Sequence, residues 1–548
     1  MPRRMKFDLA ALRAKATGGV LALVERHLLS VVSGRLRWLL YTFGPALLLV
    51  LVLLRQELHR CGGLYAASDD SYIYLGYVKR VLTTPHELFS YNIGEHSAGT
   101  TGILYYYCLI VVCFLVRLLT WTLPLDVSLR LGLYVLNIGL FFALAGRFAA
   151  VWKRISAPTD AQVGPMLILA NAVLLSHPLF LSGVFGGLEN PLCALLAVLL
   201  VHQILVDAPT WRPSAVAALL CASRPELTAV LWTIPTFVAV RIAVRAQGRM
   251  GVRSLARRLL VGHATFALTL GALVLPCYLT TRQIFPSALG SRLTIAALGD
   301  PQLLIQGISD VFKVNEIWKS DWALWNYAIV FCLVCLPMRG ASTALWISLF
   351  MTMFLFVRAV FGLKWFGNND RYISYLWPLY ALAIMTEVRG LLAYALDGTG
   401  LLKSNGRQAL ASVVFLALAF AFRVPAFLAI HAADVDEMNQ VVVEPARWMR
   451  ANLPLKSRVI MEPAGAIRVF TDFYLVDAVG LTTTHPRIYP NYVAFMMANG
   501  VDYAFDYPGR VVELNDRALF ESLHRWLPRP WRLSLGEIGV FRLRSHGR

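Results

Sequence analysis

The sequence predicts a polytopic α-helical membrane protein of about eleven transmembrane helices, followed by a small C-terminal external α/β domain. Three observations carry that expectation. Of the 548 residues, 57% are apolar and 15% charged, with a mean hydropathy of +0.59. A soluble chain carries about a quarter charged residues, so a cytosolic multidomain enzyme is excluded. Apolar blocks recur along most of the chain, many near the ~20 residues needed to cross ~30 Å of hydrocarbon. The net charge of +19 comes from 51 Lys and Arg against 32 Asp and Glu. It falls in short basic runs between those blocks, the positive-inside pattern and not a nucleic-acid footprint.

Residues 1–37 read as a basic cytoplasmic segment, with Phe7, Leu9, Leu12, Leu21 and Leu28 on a helix-compatible pattern that suits the membrane surface. Residues 38–431 read as the transmembrane domain. Its first span runs from Trp38 to about Leu54 and emerges outside; no cleavable leader is expected, because the basic region is long and no small-residue cleavage site follows. An external loop, 55–128, comes next. Further apolar blocks lie near 103–120, 129–149, 164–181, 191–206, 214–223, 226–244, 259–280, 324–338, 343–361, 372–386 and 409–430. If every block crossed, Arg147, Lys153, Arg154 and the arginine run from Arg241 to Arg258 would lie outside, against the charge rule. Holding 103–120 at the outer surface, or as a re-entrant segment, returns both runs to the inside and ends the chain outside. Residues 432–548 are richer in Asp, Glu and Pro. Strand-like runs Arg458–Met461 and Tyr474–Val479 alternate there with helical stretches such as Glu444–Asn452, as in an α/β domain.

The eight cysteines imply no disulfide framework. Cys332 and Cys335 have CxxC spacing but lie inside an apolar run with no second ligand pair, so they read as core or lipid-facing. No internal repeat stands out, which disfavours a carrier built from inverted repeats. No Walker loop, dinucleotide fingerprint, HExxH or serine-hydrolase elbow is found.

Sorted by side, the polar residues that interrupt the apolar blocks are lopsided. Asp69 and Asp70 fall in the first external loop, Glu189 at the outer end of the span from 164, Arg224 and Glu226 at an outer junction, and Arg371 with Tyr372 at the start of the span from 372. Ionisable groups at membrane depth are costly unless they face a polar cavity, so four separated segments bringing them to one level point to a shared site. The adjacent carboxylates Asp69 and Asp70 suit a divalent cation, a general base, or a cap on the helix starting near Ser71. No fixed-spacing ligand set demands a metal. Sugar transfer from a phosphate-linked donor needs a carboxylate near the acceptor hydroxyl and cations on the leaving phosphate, where guanidinium fits bidentately. The loop Phe89–Gly102 is rich in Gly, Ser and Thr, and within it Glu95 and His96 are candidate acceptor contacts.

Asp69-Asp-Ser-Tyr-Ile, Tyr91-Asn-Ile-Gly-Glu-His-Ser-Ala-Gly-Thr-Thr-Gly, Gly187-Leu-Glu-Asn, Arg224-Pro-Glu and Arg371-Tyr together resemble the GT-C class glycosyltransferases that use polyprenyl-phosphate sugars. Within that class the chain looks most like the arabinofuranosyltransferase-type members. The stretches Ala446-Arg-Trp-Met-Arg-Ala-Asn-Leu-Pro, Ala464-Gly-Ala-Ile and Val476-Asp-Ala-Val-Gly-Leu resemble the external domain common in such proteins. The resemblance implies inverting transfer of a sugar, arabinofuranose among the candidates, from a polyprenyl-phosphate donor to a glycan, lipid or protein acceptor. It implies a bacterial inner membrane with the site facing the periplasm. Asp69 would be the base, Asp70 its support or an acceptor contact, and Arg371 and Arg224 the phosphate ligands, with Glu189, Glu226, Glu95, His96 and Tyr372 as substrate contacts. A lipid-linked sugar flippase or other carrier is the alternative reading, with a non-catalytic scaffold behind it.

Overall fold

The computed structural model describes residues 34–156, 160–246, 250–283, 374–382, 385, 405–482, 492–509, 511–526 and 537–544. Arg371, Tyr372, the Cys332/Cys335 pair, the segment 1–33 and the apolar blocks at 324–338 and 343–361 lie outside the described residues.

Helix α1 (Gly34–Cys61) is followed by α2 (Asp69–Thr83), α3 (Ile103–Leu119) and α4 (Leu125–Ser156). Next come α5 (Asp160–Leu175), α6 (Pro178–Phe185), α7 (Asn190–Leu205), α8 (Trp211–Ser223), α9 (Ile234–Arg245) and α10 (Val252–Thr281). Among the described residues four helical stretches are long and apolar enough to cross a membrane: Trp38–Cys61, Leu125–Ile155, Val252–Thr281 and Ser412–Asn452. A fifth arises if Met166–Leu175 and Pro178–Phe185, bent by 78° at their break, count as one span. The expected total of about eleven is not tested by this count, because the blocks at 324–338 and 343–361 lie outside the described residues. The apolar blocks at 191–206 and 214–223 form helices of 16 and 13 residues, short of the ~20 a crossing needs, and the block at 226–244 is broken into Pro225–Leu227, Thr228–Leu231 and Ile234–Arg245.

α1 and α4 lie side by side, with the Phe43 and Phe142 rings edge to face at 6.1 Å. α3 packs against the opening turns of α4. Tyr105 donates to Asn137 Oδ1 at 2.9 Å and Arg117 donates to the Leu123 carbonyl at 2.6 Å, so α3 flanks residues 125–137 while α1 covers the part of α4 beyond. The two ends of the bundle differ in charge. At one end Asp207, just past α7, pairs with Arg245 and Arg241, and His202 feels the charges of Arg147 and Arg154. The acidic motifs gather at the other.

The long helical stretch 405–452 comprises α11 (Asn405–Leu418), α12 (Val424–Met438) and α13 (Glu444–Asn452), joined by π turns at Ala419–Arg423 and Asn439–Val443. It is tied to α1 by the buried Glu57–His431 contact at 2.9 Å and by Arg60–Asp436 at 2.6 Å. It leads directly into the C-terminal domain. There β3 (Arg458–Met461), β4 (Tyr474–Asp477), β5 (Tyr503–Asp506), β6 (Phe520–Trp526) and β7 (Ile538–Leu543) form one sheet of order β4-β3-β5-β7-β6. β3 runs parallel to both β4 and β5, while β7 is antiparallel to β5 and β6. Alternation along the strands builds two cores: Val459, Met461 and Leu475 join the bundle's core, and Ile460, Val476 and Phe541 face a second one with α15 (Tyr492–Asn499). The strand runs expected near 458 and 474 and the helix expected over 444–452 are the ones observed. Helix α14 (Ala464–Phe470) connects β3 to β4. The hairpin β1 (Ser90–Asn92) and β2 (Glu95–His96) belongs to the first external loop.

Candidate active site

α2 opens with Ser68 in extended conformation, and Asp69 and Asp70 fill its first turn, where carboxylates are favoured by the helix dipole. Every residue from Ser71 to Val78 is buried, because α2 is wedged between the helix bundle and the C-terminal domain.

Toward the bundle, the Ser71 hydroxyl donates to the Gly186 carbonyl at 2.6 Å and the Tyr74 hydroxyl donates to Glu189 Oε2 at 3.2 Å. Glu189 Oε1 lies 3.0 Å from Arg224, and Glu226 lies 3.5 Å from the same guanidinium. Arg224 is 2% exposed; it also donates to Asn190 Oδ1 at 2.7 Å and sits 5.4 Å above the Tyr375 ring. Asn190 in turn donates to Ser374 Oγ at 3.2 Å. A buried cation between two carboxylates has its charge offset locally. Gly187 makes the turn possible: its φ is +87°, and a Cβ there would stand 2.9 Å from Ser71 Cβ and from a Leu133 methyl.

Toward the C-terminal domain, the two oxygens of Asp69 accept from the Gly465 amide at 3.0 Å and the Ala466 amide at 3.1 Å. These amides open α14, and the approach is so close that a Cβ on Gly465 would collide with the Asp69 carbonyl oxygen. Ten residues along α2, the Lys79 ammonium donates to the carbonyls of Arg468, Val469 and Thr471 at 3.0–3.2 Å and pairs with Asp472 at 3.0 Å. The external loop adds a second seam. Asn92 exchanges both side-chain hydrogen bonds with the backbone of Leu475, at 2.8 and 3.0 Å; Arg468 donates to Asn92 Oδ1, and the Tyr91 hydroxyl donates to the Ala464 carbonyl.

Burial pushes the Asp69 carboxyl up from 3.8 to about 7, reinforced by the Asp70 and Asp477 charges and opposed by the two amides. Asp477 is a buried carboxylate that accepts from the Val479, Gly480, Leu481 and Thr482 amides. Its enclosure raises it to about 6 against those hydrogen bonds. The turn it organises closes on the external loop, where Ser97 donates to the Thr482 carbonyl.

Of the residues expected from sequence, Asp69, Asp70, Glu189, Arg224 and Glu226 flank α2 and its contacts. Glu95 and His96 sit on the hairpin. Glu95 accepts from Asn92 and from the Tyr474 hydroxyl at 3.0 Å, and His96 Nδ1 is 2.7 Å from Ser90 Oγ. Arg371 and Tyr372 lie outside the described residues, but Ser374 and Tyr375 just beyond them rest on Asn190 and Arg224. The sequence assigned no role to Lys79, Asn92, Asn190 and Asp477, nor to the Gly465 and Ala466 amides, although all but Lys79 lie inside motifs that carry the resemblance. Among the described residues no cluster of three or more His, Cys, Asp and Glu side chains is arranged to hold a metal ion.

Among solved structures, the chain is similar to ArnT from Cupriavidus metallidurans bound to undecaprenyl phosphate. The TM-score is 0.57 at 12% identity, over 92% of this chain and 99% of that one. The chain shares its fold with that structure. It is also similar to the archaeal oligosaccharyltransferase AglB from Archaeoglobus fulgidus in complex with an inhibitory peptide and a dolichol-phosphate, with TM-score 0.50 and 12% identity, over 87% of this chain and 70% of that one. A family model described as a domain of unknown function (DUF8728) matches residues 430–546, the C-terminal domain with the end of the long helix. The comparison with curated proteins gives no match.

Proposed function

We propose that this protein is an integral membrane glycosyltransferase that moves a sugar, arabinofuranose being the first to test, from a polyprenyl-phosphate donor to a glycan, lipid or protein acceptor. The reaction takes place on the periplasmic face of a bacterial inner membrane. The observation that carries the reading is the Asp69 carboxylate, held by two backbone amides beside a cluster of buried charge, in a fold shared with a protein bound to undecaprenyl phosphate.

Asp69 is the base. A carboxylate offers about four lone-pair positions, so two amides leave it room to accept the acceptor hydroxyl. Its acidity near neutrality suits proton removal at the working pH. As the acceptor oxygen bonds to the anomeric carbon with inversion, its proton passes to Asp69 and the donor phosphate departs with the electron pair, needing no general acid. Asp70, whose charge acts on Asp69, supports the base. Arg371 holds the donor phosphate, with Tyr372 beside it in the sequence as a substrate contact. Arg224, with Glu189 and Glu226 against it, steadies the wall of the donor site. Glu95 and His96 border the acceptor side.

Purified full-length protein, given a short-chain polyprenyl-phosphate sugar and read by mass spectrometry, tests this. Wild type forms the glycoside, and Asp69→Asn and Asp69→Ala do not, although both insert and purify normally. Transfer at the wild-type rate by both variants overturns the base assignment. Lipid-sugar translocation in liposomes without glycoside formation overturns the transferase and favours the carrier.

A further inference from the structure

α2 and α14 run in the same direction, and α2 grips α14 at both of its ends. At the N-terminus, where unpaired amides leave partial positive charge, it places the Asp69 carboxylate. At the C-terminus, where unpaired carbonyls leave partial negative charge, it places the Lys79 ammonium. Each charge of α2 therefore meets the complementary pole of α14. Between the two grips the helices touch without spacers: the hydrogen-only side chain of Gly76 lets α2 pack on Arg468 and Tyr91, where a Cβ would come within 2.8 and 2.9 Å of their atoms. Lys79 is half-buried and turned inward onto backbone carbonyls, while its acidic partner Asp472 has a side chain 78% exposed. The ammonium is thus fixed mainly by the helix end, not by a surface ion pair, and exposed pairs contribute little by themselves.

We propose that the C-terminal domain serves as the positioning element of the Asp69 carboxylate, and that Lys79 is the positioning residue that keeps α14 seated so that its first amides address Asp69. This rests on Asp69 being the base. The domain matched only as one of unknown function then has a task in the reaction without contributing a reacting side chain. Losing the far grip lets α14 slide along α2, and the carboxylate loses the orientation that brings one lone pair to the acceptor. Misplacement of about 1 Å at a reacting group costs up to about a hundredfold in rate.

The test uses full-length protein in detergent, with rates normalised to folded enzyme by size-exclusion chromatography. Lys79→Gln is expected to lower kcat by roughly tenfold while the donor KM stays within about twofold, and Lys79→Arg to restore most of kcat, the signature of lost orientation and not of lost binding. Gly465→Ala acts at the other grip and is expected to give the same split, so the proposal does not depend on one variant folding. Wild-type kcat in either folded variant, equal changes in kcat and KM, or no rescue by Lys79→Arg overturns it. Full transfer by Asp69→Asn removes the base itself, whereas an inert Asp69→Asn beside an unaffected Lys79→Gln removes the clasp alone.

Discussion

The acidity of Asp69 leads to a pH dependence that can be worked through. Its carboxyl is raised from 3.8 to about 7 by burial, which disfavours the ionised form in the folded protein. A base works only when ionised, so transfer rises with pH and levels off above neutrality. Two units below the midpoint about 1% of the carboxyl is ionised, so kcat/KM at pH 5 should be on the order of a hundredfold below its plateau. Stability moves the opposite way. Between about pH 4 and 7 the folded state holds a proton that the unfolded chain has released, so this residue's contribution to stability falls as pH rises and is constant above 7. Initial rates with a short-chain polyprenyl-phosphate sugar from pH 5 to 8.5 check the first claim, and thermal melts of wild type and Asp69→Asn over the same range check the second. Asp70→Asn removes a like charge and should draw the acid limb to lower pH. A wild-type profile flat from pH 5 to 8 would refute the reasoning, because it would mean that the reaction does not draw on this carboxyl's ionisation.

Two further outcomes follow from the bundle side of α2. Arg224→Met leaves Glu189 and Glu226 facing a vacated cation site, and removing one member of a buried pair costs about 3–5 kcal/mol; the melting temperature in detergent should fall sharply, and Arg224→Met combined with Glu189→Gln should recover part of the loss. Gly187→Ala forces a side chain into a left-handed backbone position and against Ser71, at a cost of about 1–3 kcal/mol, which a reduced melting temperature would show and an unchanged one would contradict.

The sequence revealed the acids of this site more readily than their partners. Asp69 and Asp70 stand out because two carboxylates interrupt an otherwise apolar chain just past the first span. Glu189, Arg224 and Glu226 stand out for the same reason, yet a one-dimensional pattern does not say that they face one another, so Arg224 read as a phosphate ligand without its two acidic neighbours in view. The Gly465 and Ala466 amides carry no side-chain signature, and neither do the carbonyls that receive Lys79. Asp477 fell inside a strand-like run, and only folding turns its carboxylate toward four consecutive amides. In the C-terminal domain, β-branched runs bounded by turn residues made β3 and β4 legible. In the membrane the apolar blocks were legible but their crossings were not, since hydropathy cannot tell a full span from the bent pair α5–α6 or from a short helix such as α8.

The hydrogen bond from Gly465 to Asp69 closes a separation of 396 residues. During synthesis the acid leaves the ribosome long before the amides that will hold it, and contacts this distant form late. A chain cut short before α14 would carry every acid of the bundle and still lack the two donors that fix the first of them. On the proposed role of Asp69, biogenesis thereby withholds a competent centre until the polypeptide is nearly finished, and nascent or prematurely terminated products should be inert toward the lipid pool around them.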